Sequence, residues 1–227
     1  MFDPDALETS FLERGYFRTG PLLDGDSCRD LVAAYDAGKG FRSHVVMERH
    51  NFGRGEYKYF ANPLPQAVQA LRSAAYAPLA VVANRWMAAL AQTPPYPDTL
   101  EEFTGRCARA GQTKPTPLIL RYEAQGYNCL HQDLYGEHVF PLQVAILLSE
   151  PGRDFTGGEF VLTEQRPRMQ SRAEVVPLGQ GDAVVFAVRE RPVQGARGVS
   201  RAVMRHGVSR VRSGRRMTLG LIFPDAT

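Results

Sequence analysis

Two histidines and an aspartate have the residue types and the spacing of a metal site. His131 and Asp133 are separated by one residue, and His206 lies far downstream. Residues two apart on a β-strand project to the same face, so a fold that brings His206 to this pair assembles two imidazoles and one carboxylate. That set is typical of non-haem Fe(II) sites, which keep coordination positions open for O₂ and a second ligand. The sequence therefore predicts an iron site with oxidative chemistry.

An arginine ten residues after His206 could serve the same site. Arg216 and Thr218 share one face of an otherwise apolar strand predicted from Met217 to Phe223. A buried guanidinium without an anionic partner is strongly unfavourable. The far carboxylate of a dicarboxylate, with a hydrogen bond from Thr218, would satisfy Arg216.

Each of these residues has an ordinary structural explanation when taken alone. His131 could be a loop or core histidine, Asp133 a turn or cap residue, and His206 a strand-end residue. The combination, with an arginine downstream, favours a site. His138 is a rival ligand by position, but Gly136 predicts a turn there, so we interpret His138 as a loop residue.

Composition limits the class of protein without identifying a function. The chain has 227 residues, of which 44% are hydrophobic and 22% charged, as in ordinary globular proteins. Three irregularly spaced cysteines (Cys28, Cys107 and Cys129) argue against a disulfide framework. The N-terminus resembles no signal peptide and no apolar stretch is long enough to span a membrane, so we expect a cytoplasmic protein. The net charge of +3 is too small to prove a nucleic-acid partner.

The elements that must position the site change character along the chain. The first half predicts helices from Cys28 to Tyr35, from Pro65 through Trp86 with a kink or break at Pro78, and from Thr99 to Ala110. From Pro117 onward the pattern changes to short strands. These are predicted at 118–122, 140–148, 159–162, 183–186, 203–211 and 217–223. We therefore predict a single domain, mostly β, with a barrel or sandwich whose larger sheet is covered by N-terminal helices.

The second half resembles a known family. The stretch Arg121–Asp133 resembles the tyrosine-led approach to the first two ligands in the 2-oxoglutarate- and Fe(II)-dependent dioxygenases, especially their prolyl 4-hydroxylase-like branch. Gly157–Phe160 and Gly181–Phe186 resemble its later glycine turns, and His206 with Arg216 resembles its distal ligand and co-substrate anchor. Tyr127 departs from the usual spacing by one position.

The resemblance implies a fold, ligands and chemistry. The fold is a double-stranded β-helix (a jelly-roll or cupin-like core) over residues 117–227, supported by a mainly helical segment over 1–116. His131, Asp133 and His206 would bind Fe(II), Arg216 the distal carboxylate of 2-oxoglutarate, and Thr218 and Tyr122 would assist. O₂ would be the other co-substrate, with ascorbate as a further expected cofactor. A substrate C–H bond would be hydroxylated, with release of succinate and CO₂.

The substrate is less constrained than the chemistry. Residues 49–60 predict either a surface hairpin whose aromatics alternate into the core or a glycine-hinged substrate lid. The candidate substrate residues there are Arg49, Phe52, Arg54, Tyr57, Lys58 and Tyr59. The family branch favours a protein or peptide residue as substrate, with oxidative demethylation of an alkylated nucleic-acid base as the alternative. A barrel that binds metal or 2-oxoglutarate without turnover is the remoter interpretation.

Overall fold

Two large β-sheets, a two-stranded sheet and four α-helices are found in the computed structural model, which describes residues 2–195 and 198–227. The helices are α1 (Pro4–Arg14), α2 (Gly25–Ala37), α3 (Gln66–Ala89) and α4 (Leu100–Arg109), with a 3₁₀ helix at Met47–His50. The strands are β1 (Tyr16–Pro21), β2 (Phe41–Val46), β3 (Gly53–Arg54), β4 (Glu56–Phe60), β5 (Leu118–Tyr122), β6 (Tyr127–His131), β7 (Leu142–Leu147), β8 (Phe155–Gly157), β9 (Phe160–Gln165), β10 (Arg172–Val176), β11 (Asp182–Ala187), β12 (Glu190–Gly195), β13 (Gly198–Val208), β14 (Val211–Gly214) and β15 (Arg216–Leu221). The predicted mostly β class with N-terminal helices is confirmed.

The strands form a larger and a smaller antiparallel sheet. The larger sheet has the order β1-β11-β7-β15-β5-β4-β2. The smaller sheet has the order β10-β9-β13-β6-β3, with β12 paired to β13, and β14 pairs with β8. Both strands that carry the predicted histidines, β6 and β13, therefore lie side by side in the smaller sheet.

The central strands of the larger sheet are buried on both faces. In β7, Leu142, Val144 and Ile146 belong to the hydrophobic core shared with the helices. The alternate residues of the same strand turn inward, where Ala145 packs with residues of the smaller sheet. This arrangement explains why β7 is a nearly continuous apolar run in the sequence, because neither face meets solvent.

The long helix α3 differs from its prediction at Pro78. The helix runs unbroken from Gln66 to Ala89 and contains Pro78, so of the predicted kink or break, the break does not occur. Proline cannot donate the helical hydrogen bond to the residue four positions earlier. That residue, Ala74, is exposed, so its carbonyl group is not forced into the core without a partner. Packing of Leu71, Tyr76 and Leu79 in the core stabilises the continuous helix.

The first half contributes more strands than its sequence predicts. β1 pairs with β11, β2 pairs with β4, and β4 pairs with β5. Residues 56–60, in the segment predicted to be either a hairpin or a lid, are therefore a strand of the larger sheet. No helix within the described residues is long and apolar enough to cross a membrane.

Candidate metal centre

The pairing of β6 with β13 brings the three predicted ligands together. His131 lies directly opposite His206 in the register, and Asp133 follows the end of β6. One nitrogen or oxygen atom from each of the three lies within 4.8 Å of the others. The Nε2 atoms of His131 and His206 lie 3.5 and 3.3 Å from the two carboxylate oxygens of Asp133. Two imidazoles and one carboxylate thus converge at one end of the space between the sheets.

A glycine permits the close approach of the two ligand strands. Gly207 follows His206, and a Cβ atom there would lie 2.7 Å from the carbonyl oxygen of Asn128. The pairing register also shifts between His206 and Val208. A larger residue at position 207 would push β13 away from β6, and His206 would move with it.

Hydrogen bonds fix the orientation of the ligands. The His131 Nδ1 atom lies 2.8 Å from the carbonyl oxygen of Cys129, so it carries the proton and leaves Nε2 free to bind a metal. Gln132 donates from Nε2 to the carbonyl oxygens of Arg189 and Met204, at 3.1 and 2.9 Å. These bonds attach the segment between the first two ligands to the neighbouring strands.

Asp133 is held by a tyrosine that the sequence did not reveal as functional. The Tyr135 hydroxyl donates to Asp133 Oδ1 at 3.1 Å, and the Tyr59 hydroxyl donates to Tyr135 at 3.3 Å. Tyr135 lies two residues after Asp133, which is the only signal for it in the sequence. The chain of hydrogen bonds connects β4 in the larger sheet to the carboxylate of the cluster.

The charges of the cluster suit metal binding. Burial would raise the pKa of Asp133, but hydrogen bonds and charge from His131 and His206 hold it well below its usual range. Burial would lower the pKa of His131, but Asp133 outweighs it and the pKa is raised. Burial lowers the pKa of His206. Asp133 is therefore ionised and His206 neutral, as a divalent cation requires, and a cation that binds would displace a proton from His131.

A cavity of about 370 Å³ extends from the three ligands to Arg216. Arg216 is 2% exposed, and its Nη1 donates to Thr218 Oγ1 at 2.6 Å. Its Nε atom and the Tyr122 hydroxyl are buried and have no hydrogen-bond partner among the described residues. Burial lowers the pKa of Arg216 to about 10, so the group is still a cation at neutral pH. The donors without partners fit the carboxylate of a ligand.

The close packing around Arg216 also depends on a glycine. Gly158 has φ +64°, and a Cβ atom there would lie 2.9 Å from the Cδ atom of Arg216. The predicted glycine turn at 157–158 therefore leaves room for the arginine side chain. Any larger residue would displace the guanidinium that faces the cavity.

The predicted substrate residues separate into three groups. Phe52, Tyr57 and Tyr59 line the cavity. Arg49 and Arg54 are exposed and lie outside the cavity lining. Lys58 is turned toward α2, where its Nζ donates to the carbonyl oxygen of Tyr35 at 2.9 Å, and it lies outside the cavity lining. Successive side chains of β4 point to opposite faces of the sheet, so Lys58 lies on the face opposite to Tyr57 and Tyr59.

The two other histidines singled out by the sequence lie outside the cluster. His138 is in the irregular segment after β6, where its backbone N–H donates to Gln112 Oε1 at 2.7 Å. The prediction that it is a loop residue is confirmed. His50 stacks on Phe52 with ring centroids 5.3 Å apart, beside the opening of the cavity.

Comparisons with known proteins agree with this geometry. The sequence profile of the Oxygenase-NA family, described as "Oxygenase, catalysing oxidative methylation of damaged DNA", matches residues 55–226. The uncharacterized protein Rv2227 of Mycobacterium tuberculosis (strain ATCC 25618 / H37Rv) is 50% identical over 167 residues, which cover 74% of this chain and 72% of that protein.

Solved structures show the same fold at low identity. A prolyl-4-hydroxylase of Pseudomonas putida is 15% identical, covers 99% of this chain and 100% of that one, and has a TM-score of 0.53. An oxidoreductase of the 2OG-Fe(II) oxygenase family from Burkholderia pseudomallei is 18% identical, covers 100% and 94%, and has a TM-score of 0.54. Both likenesses concern the fold, and they bear out the predicted jelly-roll core.

Proposed function

The chain belongs to the Oxygenase-NA family, within the 2-oxoglutarate- and Fe(II)-dependent oxygenases, and we propose that it oxidises an alkylated base in nucleic acid. The sequence alone favours a peptide residue as substrate. The family description, which refers to damaged DNA, moves the preference to the base. The shape and lining of the cavity opening support the same choice.

The residues of the cluster divide the work of binding. In the proposed site, His131, Asp133 and His206 hold Fe(II), and Arg216 with Thr218 and Tyr122 holds the distal carboxylate of 2-oxoglutarate. When bound, the metal and co-substrate supply O₂-dependent oxidation of a C–H bond, with release of succinate and CO₂. The protein orients the two and excludes water, and the buried walls of the cavity serve that purpose.

The observation that carries the choice of substrate is the aromatic and apolar lining of the cavity opening. Phe52, Leu130 and Leu134 line the cavity and are 49%, 47% and 49% exposed; we call these three the apolar rim. Deeper in the cavity, the rings of Tyr57 and Tyr59 meet edge to face with centroids 5.4 Å apart. A flat ring can stack against such faces, and enzymes that modify bases take the base out of its stack to reach it.

Arginines beside the apolar rim favour a substrate with a phosphate backbone. Tyr127, at the start of β6, pairs in register with Arg54. The guanidinium of Arg210 lies 5.8 Å from the centroid of the Tyr127 ring. Cys129 N donates to the carbonyl oxygen of Phe52 at 2.9 Å, which attaches the rim to the same strand. Stacking on tyrosine and phenylalanine, with arginine nearby for phosphates, is the usual mode of single-strand binding.

A substrate comparison tests this proposal. Purified protein with Fe(II), 2-oxoglutarate and air is given single-stranded oligonucleotides with N-methylated bases, matched unmethylated oligonucleotides, or proline-containing peptides. We expect succinate in excess of the unmethylated control, and formaldehyde, with the methylated oligonucleotides alone. A methyl carbon on a ring nitrogen gains one oxygen atom of O₂, succinate gains the other, and the hydroxymethyl group leaves as formaldehyde. Oxidation of the peptides without oxidation of any methylated base would contradict the proposal.

Variants of the arginines separate nucleic-acid binding from chemistry. Replacement of Arg54 and Arg210 by alanine should weaken binding of the methylated oligonucleotide and reduce its salt dependence. Oxidation at saturating oligonucleotide should change little, because neither residue lines the cavity. Lys58→Ala is the matched control: its cation lies on the α2 side of β4, so its removal should leave the salt dependence of binding unchanged.

A further inference from the structure

The apolar strand β7 contains one polar residue, Gln143, on the face that turns toward the cavity. Residues 143, 145 and 147 alternate with those that pack on the helices, and Gln143 and Ala145 line the cavity. Gln143 is 5% exposed, and its Oε1 atom is buried without a hydrogen-bond partner among the described residues. An unsatisfied buried amide destabilises a fold, and an apolar side chain of similar size would not. The amide oxygen can therefore take its partner from a bound molecule.

Gln143 lies at the end of the cavity that contains the metal cluster. Its partner across the sheet is Phe186, whose ring centroid lies 4.6 Å from that of His206. Gln143 is thus next to Phe186, which packs against one of the histidines of the metal cluster.

The co-substrate anchor lies at the other end of the same strand. Thr218, which hydrogen-bonds Arg216, lies opposite Leu147. Gln143 is four residues from Leu147, or roughly 13 Å along the strand. A carboxylate bound at Arg216 cannot reach the amide of Gln143. The distal carboxylate of 2-oxoglutarate is therefore not the partner of the amide, which leaves the molecules bound beside the metal cluster, and the substrate is one of them.

We propose that Gln143 recognises the substrate through its amide oxygen, which accepts a hydrogen bond from an exocyclic amino group of the base. This inference rests on the proposed function, because it assumes that the substrate is a base. A buried acceptor without a partner selects a donor. The exocyclic amines of adenine and cytosine are donors, whereas thymine offers a carbonyl group at the equivalent position. Gln143 thus favours methylated adenine or cytosine over methylated thymine.

The test compares wild type, Gln143→Met and Gln143→Glu on oligonucleotides that differ only in the methylated base. Methionine has a similar length without the amide, and glutamate keeps an acceptor. For Gln143→Met, kcat/KM on methyladenine or methylcytosine should fall about tenfold to a hundredfold, with a change of less than about threefold on methylthymine. Gln143→Glu should retain more of the preference for the amino bases than Gln143→Met.

Two measurements without substrate distinguish recognition from a structural role. Anaerobic binding of Fe(II) and 2-oxoglutarate by Gln143→Met should equal that of wild type, and its thermal midpoint should be equal or higher. A lower midpoint would show that the amide is satisfied within the fold and would overturn the inference. Wild-type turnover with unaltered base preference in Gln143→Met would overturn the role of Gln143 alone. No wild-type turnover on any methylated base would contradict the proposed function and this inference together.

Discussion

Arg216→Met should make the protein more stable without 2-oxoglutarate and should remove most of the stabilisation that 2-oxoglutarate gives. Arg216 is 2% exposed. Burial lowers the pKa of Arg216 and the negative charge of Glu159 raises it, but the two residues form no salt bridge. The resulting pKa of about 10 keeps Arg216 charged at pH 7. Replacement of a buried charge by an apolar side chain of similar length is often stabilising, by about 1–3 kcal/mol. For a domain of this size that corresponds to a rise of about 2–4 °C in thermal midpoint per kcal/mol.

The ligand should stabilise wild type much more than the variant. A wild-type sample with 2-oxoglutarate at about 100 times its Kd gains about 2.7 kcal/mol. Loss of a buried charge-assisted contact costs about 2–5 kcal/mol of binding, which raises the Kd roughly 30-fold to several thousand-fold. At the same ligand concentration the variant should therefore gain about 0.9 kcal/mol or less, by the same relation. Thermal unfolding of both proteins, anaerobically with Fe(II) and with or without 2-oxoglutarate, measures the two gains.

An exposed arginine nearby provides the control. Arg212 lies on the surface four residues earlier, and Arg212→Met should change neither the midpoint nor the stabilisation by 2-oxoglutarate. If Arg216→Met is less stable than wild type without ligand, the guanidinium has a partner within the fold. If the variant is stabilised by 2-oxoglutarate as much as wild type, Arg216 is not the anchor.

Three further predictions concern the metal cluster and the core. His131→Ala should abolish the visible charge-transfer band that anaerobic Fe(II) and 2-oxoglutarate produce in wild type; a band of equal intensity would exclude His131 as a ligand. Tyr135→Phe removes the bond to Asp133 Oδ1 and should weaken Fe(II) binding about 10- to 100-fold in an equilibrium titration, whereas unchanged affinity would show that Asp133 needs no support. Glu164→Gln leaves Arg191, which is 2% exposed, without its charged partner, and should cost about 3 kcal/mol of unfolding free energy at pH 7. Burial would raise the pKa of Glu164, but its arginine partners lower the pKa below its usual value. Stability from a lowered carboxyl pKa is present above the unfolded-state pKa and is lost as pH falls, so the difference in urea unfolding free energy between wild type and Glu164→Gln should shrink below about pH 4.5. A difference that stays constant with pH would refute the stabilising role of this pair.

Local patterns in the sequence were sufficient to predict the position of several secondary-structure elements. The strand predicted at 118–122 has those bounds in the structure, and the helix predicted from Thr99 has Thr99 as its N-cap. Both have clear local signals, a short apolar run and a side chain that caps a helix. The three predicted ligands also lie together, because strand spacing constrained two of them.

Elements that depend on distant partners were not predicted. β4 is a strand because it pairs with β2 and β5, which lie on either side of it. Its sequence, from Glu56 to Phe60, alternates polar and aromatic residues, which also suits a hairpin or lid. The opposite orientations of Lys58 and Tyr59 follow from the sheet and not from their own chemistry. For the same reason Tyr135 was not predicted, because within the described residues its hydroxyl bonds to Asp133 and Tyr59, and Tyr59 is distant in sequence.

The ten-residue spacing between His206 and Arg216 has a structural cause that residue types alone do not reveal. β13 lies in the smaller sheet and β15 in the larger one, so the chain between them must cross from one sheet to the other. The crossing contains β14, and Gly214 (φ +77°) turns so close to Asp154 that a Cβ atom would lie 2.0 Å from its carbonyl oxygen. Because side chains alternate at every residue of a strand, a crossing of fixed length determines that both His206 and Arg216 face the cavity. Spacing along the chain therefore predicts the metal and co-substrate ends of the site, whereas the substrate wall, assembled from strands far apart in sequence, requires the fold.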